Sequence, residues 1–426
     1  MITDEQNRFL TQTGRGTPMG DLFRRYWIPA VLAEEVAQTD GDPVRVSLLS
    51  ERLIAFRDTQ GRTGLIDEFC AHRGVSLWFG RNEDSGLRCP YHGWKYDVNG
   101  QCVSVPSEPA TSRYCEKVKL ASYPCVELGG VIWTYMGPPQ SVPPPPAFEW
   151  TALASEQRFL SKRWQESNYL QALEGGIDSS HVSFLHRGDL NSDPLHANTQ
   201  GAKYARSTNT VFDIFESASG LVIGARRDAD PGFHYWRITQ WMMPWYTLIP
   251  PYRGQALNGH FWVPMDDDNC MAWTVTFHPT RALSERELEL MRSGAGVHCD
   301  LIPGTFRPTA NRDNHYGMDR EAQRTGRYYS GIKGIAIQDA SLQESMGPVV
   351  DRSKEHLVST DNAIIKARMR LRKAALGLAS GETAPGTDPA SQNVRSASFL
   401  LPVDGSFKER AIDAIQARAG EEHVAI

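Results

Sequence analysis

The sequence predicts an α+β protein in two parts: a small all-β domain over residues 1–145, and a larger domain over 146–426 whose antiparallel sheet is flanked by helices. Three observations predict this. Short apolar runs such as VRVSLLS and RLIAF, separated by turn residues, continue to VIWTYM at 131–136 and fit strands better than helices. The stretch GPPQSVPPPP comes next, and a proline run cannot join the interior of a sheet or helix, so it reads as the linker. Beyond it, helical and strand-like segments occur together.

Taken in order, residues 164–187 space their polar positions as a helix does, interrupted by Gly175 and Gly176. TVFDIF, LVIGARR, HYWRITQWMM and MAWTVTFHP, between 203 and 280, read as strands. Residues 281–293 are charged and helical. Residues 300–330 read as a long loop. A helix near 361–381 is stopped by glycine. The tail after 381, rich in Ser, Pro and Ala, is expected to wrap loosely on the surface.

At 426 residues the chain is too long for one typical core, and 40% apolar with 22% charged residues allows a sizeable one in each part. A net charge of −5 argues against nucleic-acid binding. No run approaches the ~20 apolar residues that span a bilayer, and the first twenty residues lack the apolar core of a secretory signal. Seven cysteines, an odd number, do not suggest a secreted disulfide framework. The expected location is a reducing cytoplasm.

The most specific signal is Cys70-Ala-His72 followed, after sixteen residues, by Cys89-Pro-Tyr-His92. Thiolates hold a sulfide-bridged iron pair, and two imidazoles can replace two of them on one iron. Structural zinc also takes two Cys and two His, but the order here is Cys-His then Cys-His. Gly74, Pro90 and Gly93 suit the tight turns that would present each pair. Cys102, Cys115, Cys125, Cys270 and Cys299 follow no ligand spacing and are expected to be spectators.

A second constellation follows the linker: Asn168, Gln171, Glu174, Asp178, His181 and His186. Two histidines five apart, where a helix ends or bends, can converge on one ion. Two histidines and a carboxylate with open positions make a ferrous oxygenase site. Alone, the pair fits a polar helix surface better than a metal site. The third ligand would be a distant carboxylate. Asp266, Asp267 and Asp268 read as a solvated turn between strands.

The flanking residues carry a resemblance. CAHRGVSLWFG…RCPYHGWKYDVNGQC resembles the Rieske signature, and NYLQALEGGIDSSHVSFLH resembles the iron-binding segment of Rieske non-haem iron oxygenases of the phthalate dioxygenase type. It runs from RRYWIPAVLAEEV through RITQWMMP to QDASLQESMGPVVDRSKEHLVSTD. It implies a [2Fe–2S] cluster on Cys70, His72, Cys89 and His92, and a mononuclear Fe(2+) on His181, His186 and Asp339, with Glu344 and then Asp351 as the other candidates for the third ligand; Asp339 could instead cap a helix. The activity implied is that of a terminal oxygenase using O2 to hydroxylate an aromatic carboxylate. O-demethylation of a methoxyaromatic acid, or attack on a diaryl ether, is the alternative.

In that family subunits associate head to tail as trimers. Asp178 there joins the iron histidine to a cluster histidine of the neighbour, which would be His92 or His72. The chain has no Gly-rich dinucleotide fingerprint, so a separate NAD(P)H-dependent reductase is implied. An arginine fork suits a carboxylate. Arg237 is the first choice among Arg206, Arg226, Arg227, Arg237 and Arg253. A Rieske electron carrier without oxygenase activity is the competing class; it would hold two irons per chain rather than three.

Overall fold

The structure is a computed structural model that describes residues 2–109, 111–196 and 199–426. The chain divides into two compact units, Thr13–Pro145 and Pro146–Ile426, and the N-terminal segment through Gln12 belongs to the second. That segment was expected in the first domain. It belongs elsewhere because the helix Asp4–Thr11 is stitched to the larger unit: Tyr169 donates its hydroxyl proton to the Leu10 carbonyl at 2.6 Å, and Asn7 donates to the Val350 carbonyl at 2.9 Å.

Among the described residues, the unit Thr13–Pro145 is built on three small antiparallel sheets. In one, the fully buried Val131–Tyr135 lies between Trp27–Leu32 and Cys125–Leu128. VIWTYM is thus the last strand in sequence but the central strand in space. The second joins Val44–Leu48, Glu51–Arg57 and Thr63–Asp67. The third joins Arg81–Glu83, Gly86–Arg88, Lys95–Tyr96 and Cys102–Ser104. A core of Ile54, Phe56, Ile66, Leu77, Leu87 and Tyr96 sits beneath the two loops carrying Cys70 and Cys89.

Among the described residues, the second unit is organised by one antiparallel sheet of eight strands. Its order is Arg158–Gln165, Cys270–Phe277, Leu257–Pro264, Tyr246–Ile249, Phe233–Met242, Gly220–Asp228 and Val211–Glu216. Side chains alternate across a strand, and register aligns those of one face. Arg163 lies opposite Ala272, and Ala272 opposite Trp262. His260 lies opposite both Thr274 and Thr247. Arg163, Trp262, His260, Asn258, Thr239 and Arg237 all line the cavity on this face.

The eighth strand corrects the expectation of a loose tail. Ala397–Pro402 pairs with Phe233–Ile238, while Tyr246–Ile249 pairs with Gln240–Met242 further along the same strand. Phe399 and Leu401 are buried with Trp236 and Phe407, and the helix Phe407–Ala414 packs there too. Arg395, also buried, is held by Glu149 at 2.8 Å. The apolar gain from those side chains outweighs the tail's polar composition.

Two helices bear on the site. Tyr169–Ile177 packs on the strand Leu257–Pro264 and on the helix Ile335–Ser345. Asn168 caps the first, accepting from the Leu170 N–H at 3.0 Å. Gly176 is required by the approach: a Cβ there would lie 1.9 Å from the Trp262 ring. The helix Asn362–Ala379 lies where its pattern predicts, and Glu285–Arg292 falls within the charged helical stretch. Within 300–330 the described chain also forms a short helix, Arg320–Arg324. Asp266 closes the turn between two strands by accepting from the Asp268 N–H at 2.9 Å. Among the described residues, no helix is long and apolar enough to cross a membrane.

Candidate active site

In the first unit two loops are folded alike. The Cys70 N–H donates to the Val75 carbonyl at 2.9 Å, and the Gly74 N–H donates back to the Cys70 carbonyl at 2.9 Å. The Cys89 N–H donates to the Trp94 carbonyl at 2.8 Å, and the Gly93 N–H to the Cys89 carbonyl at 3.0 Å. Gly74 and Gly93 both have positive φ, +72° and +77°, which glycine adopts without a Cβ penalty.

The loops bring four side chains together. The Cys70 and Cys89 thiols are buried and within hydrogen-bonding reach of each other. The His72 and His92 rings stand 4.4 Å apart on the outer side, and His72 stacks on Trp94 at 4.7 Å. Burial pushes the Cys89 thiol up, and the backbone N–H groups of Tyr91 and His92 oppose this only in part. Two thiolates side by side in an apolar core call for a cationic partner. The set therefore fits a two-iron cluster with its sulfur-held iron inside and its imidazole-held iron outside. Tyr96 adds a hydroxyl 3.2 Å from Cys70 Sγ. All seven cysteines are free.

In the second unit the helix ends at Ile177, and Asp178 is its C-cap. The two histidines are therefore on the turns after the helix, not on the helix itself. Asp178 Oδ1 accepts from the Ser180 N–H at 2.7 Å, which bends the chain. Arg227, buried, donates to the Ser179 carbonyl and ties this bend to the sheet. The Leu185 N–H donates to the His181 carbonyl at 2.8 Å, which brings His186 round.

The result is a convergent triad. His181 Nε2 and His186 Nε2 are 3.1 Å apart, and Asp339 Oδ1 lies 3.5 and 3.2 Å from them. All three ligand atoms fall within 4.8 Å of one another. The other ring nitrogens are held from behind: His181 Nδ1 is 3.3 Å from Asp178 Oδ2, and His186 Nδ1 is 2.7 Å from Gln338 Oε1. Gln338 Nε2 donates to Asp189 Oδ2 at 2.6 Å and to the Ile332 carbonyl at 2.7 Å. Its oxygen is therefore free only to accept, so His186 carries its proton on Nδ1 and turns a lone pair toward Asp339.

Two imidazole lone pairs and a carboxylate aimed at one point repel unless a cation sits among them. The donor set suits ferrous iron with open positions. Protonated imidazoles can take that cation's place: burial opposes the charge on Asp339, but two charged histidines outweigh it and hold the carboxyl at about 2. Burial lowers His181, and the Asp178 hydrogen bond with the Asp339 charge more than reverses it.

Asp339 lies inside the helix Ile335–Ser345, whose N-cap is Gly334, so a capping role is ruled out. Glu344 is not in the triad; it accepts from Tyr316 at 2.6 Å and from the Glu166 N–H at 3.1 Å. Asp351 caps a surface turn by accepting from the Ser353 N–H at 3.1 Å. Gln338 escapes sequence reasoning because only folding brings it to His186.

A cavity of about 990 Å³, open solvent at its mouth included, adjoins the triad. Its concave, largely apolar wall suits a small organic molecule. Burial and Arg163 push the His260 ring down to about 4, so it is a neutral wall group. Of the five candidate arginines, Arg237 lines the cavity. Arg227 serves Ser179, Arg206 is the C-cap of the helix Gln200–Ala205, Arg226 is half-buried and Arg253 is exposed.

A domain whose four ligands fit an iron–sulfur cluster, followed by one with a two-histidine, one-carboxylate set beside a cavity, defines an oxygenase supplied with electrons through such a cluster. Residues 26–124 match the Rieske [2Fe-2S] domain, and residues 134–424 match the family described as LigXa C-terminal domain like. The chain belongs to the Rieske non-haem iron oxygenases. It is 37% identical over 418 residues to the 3-chlorobenzoate-3,4-dioxygenase oxygenase subunit of Comamonas testosteroni, covering 94% of this chain and 96% of that one. To the phthalate 4,5-dioxygenase oxygenase subunit of Pseudomonas putida it is 38% identical over 431 residues, with 97% and 95% covered. The crystal structure of dicamba monooxygenase bound to dicamba shares the fold, with a TM-score of 0.57 at 18% identity over 84% of this chain and 99% of that one. The chain is thus the oxygenase component of an oxidoreductase system and not a simple electron carrier. It carries a [2Fe–2S] cluster and a mononuclear iron, uses O2 and works with a separate reductase.

Proposed function

We propose that this oxygenase hydroxylates the ring of an aromatic carboxylate, with His181, His186 and Asp339 holding the iron and Cys70, His72, Cys89 and His92 holding the cluster. One observation carries the reading: the triad opens onto a cavity whose wall includes Arg237, 4% exposed and among the described residues joined to no carboxylate. Arg237 Nη1 donates to the Tyr252 hydroxyl at 2.7 Å, which aims the guanidinium and leaves donors for a carboxylate. The relatives' names, which specify a chlorobenzoate and a phthalate, agree with an aromatic acid.

When bound, the cluster delivers single electrons and the iron activates dioxygen. The chain's own residues do the rest. Asp178 and Gln338 orient the two imidazoles by their Nδ1 protons. Trp262, Pro250 and Pro251 shed water from the cavity. Arg237 fixes which ring edge faces the triad. Asp178 remains partly exposed, 23% by side chain, which leaves it open to a further hydrogen bond. This supports a homotrimer in which Asp178 joins His181 to the His72 or His92 of its neighbour. The seven free cysteines suit a reducing cytoplasm. The test is oxygen uptake with a compatible reductase across a panel of aromatic acids, with products identified. A cis-diol signifies ring dihydroxylation, whereas formaldehyde from a methoxy acid signifies O-demethylation. No uptake with any aromatic acid, at three irons per chain, refutes the reading.

A further inference from the structure

A guanidinium is costly to bury without a counter-ion. The cavity wall holds two, Arg237 at 4% exposure and Arg163 at 5%. Among the described residues neither takes part in an ion pair, and the Nε of each is buried without a partner. Arg163 donates from Nη1 to Gln165 Oε1 at 2.7 Å, a neutral acceptor. Glu344 feels its charge, but that carboxylate is already engaged by Tyr316 and the Glu166 N–H.

The two arginines stand at different ends of the floor. Arg163 is on Arg158–Gln165 and Arg237 on Phe233–Met242, with three strands between them in the sheet. His260, on one of those strands, senses the charge of both Arg163 and Asp339. The triad's carboxylate and Arg163 thus both lie near that ring. An acid held by Arg237 alone would leave Arg163 buried and uncompensated.

We propose that Arg163 forms a second anion subsite, so that the cavity takes an aromatic diacid with carboxylates at opposite ends, one on Arg237 and one on Arg163. This rests on the aromatic-acid reading above. Two carboxylates on adjoining ring carbons would both face one guanidinium and gain nothing from the other.

The test is equilibrium binding to the iron-loaded protein of benzoate, ortho- and para-benzenedicarboxylate, and biphenyl-para,para′-dicarboxylate. At least one end-to-end diacid should bind about tenfold or more tighter than benzoate, the value of one charge-assisted pair. Arg163→Gln should erase that gain, while Arg237→Gln weakens every acid. Arg163→Lys, which keeps the charge, should retain part of the gain. Equal wild-type affinity for benzoate and both end-to-end diacids overturns the subsite without any variant. So does a gain that survives Arg163→Gln, or an equal Arg163-dependent gain for the ortho diacid. Benzoate bound and oxygenated with no diacid gain removes Arg163's role and leaves the proposed function standing. If no acid binds or supports oxygen uptake, the aromatic-acid reading itself falls.

Discussion

The two metal-binding regions are built on opposite plans. In Thr13–Pro145 all four candidate ligands come from two short, like-folded loops, so each pair is fixed by local turn geometry. In the larger unit, His181 and His186 come from one bend, while Asp339 and its neighbour Gln338 come from a helix about 150 residues further along. The first plan rests on backbone hydrogen bonds and small residues, the second on tertiary packing. Local plans are legible as spacing and hard to perturb from afar. Tertiary plans are hidden in sequence and exposed to change wherever the packing is touched.

The comparison can be broken most severely at Cys89. Cys89→Ser should abolish the red-brown cluster absorption, because a thiolate is lost from a site with no spare ligand. Retention of the full visible spectrum would remove Cys89 from the cluster. Asp339→Ala should leave that spectrum intact, lower iron from three to two per chain, and cut product formation by about a hundredfold or more. Metal analysis showing three irons with normal turnover would free Asp339 from the role.

Asp178→Asn should keep both metals but slow cluster reoxidation by about ten- to a hundredfold in rapid mixing of pre-reduced protein with substrate and oxygen. Reoxidation at the parental rate would leave Asp178 a bystander. Gln338→Leu, which deprives His186 Nδ1 of its acceptor, should weaken iron retention against a chelator about tenfold. Unchanged retention would show that the tertiary plan needs no such support. The smallest effect is expected at Tyr96→Phe, which removes the hydroxyl beside Cys70 Sγ. Losing one such hydrogen bond should lower the cluster potential by about 40 mV. A titration showing no change would mean that the hydroxyl does not donate to sulfur.

Those contrasts also explain how much could be read in advance. The cluster loops were legible as spacing and turn residues, and most strands of the large sheet as apolar runs. Arg158–Gln165, with four cations or amides among its eight residues at Arg158, Lys162, Arg163 and Gln165, was not, because its inward Arg163 serves the cavity rather than a core. Ala397–Pro402 was masked by its polar surroundings; its value comes from Trp236 and Phe407, far away in sequence. Asp339 was reachable only through family resemblance. Gln338 was not reachable at all, since nothing local marks an amide whose nitrogen is occupied by Asp189 and Ile332.

The close seat of Gly176 on Trp262 has a further consequence. It fixes the bend that carries Asp178 and His181 against one point of the sheet, while Thr239, Asn258 and Arg237 occupy other positions of the same face. Reaction chemistry and ligand preference are therefore inherited through separate parts of the chain. A lineage can exchange floor residues one at a time, and so acquire new nutrients, without disturbing the segments that carry the catalytic ion.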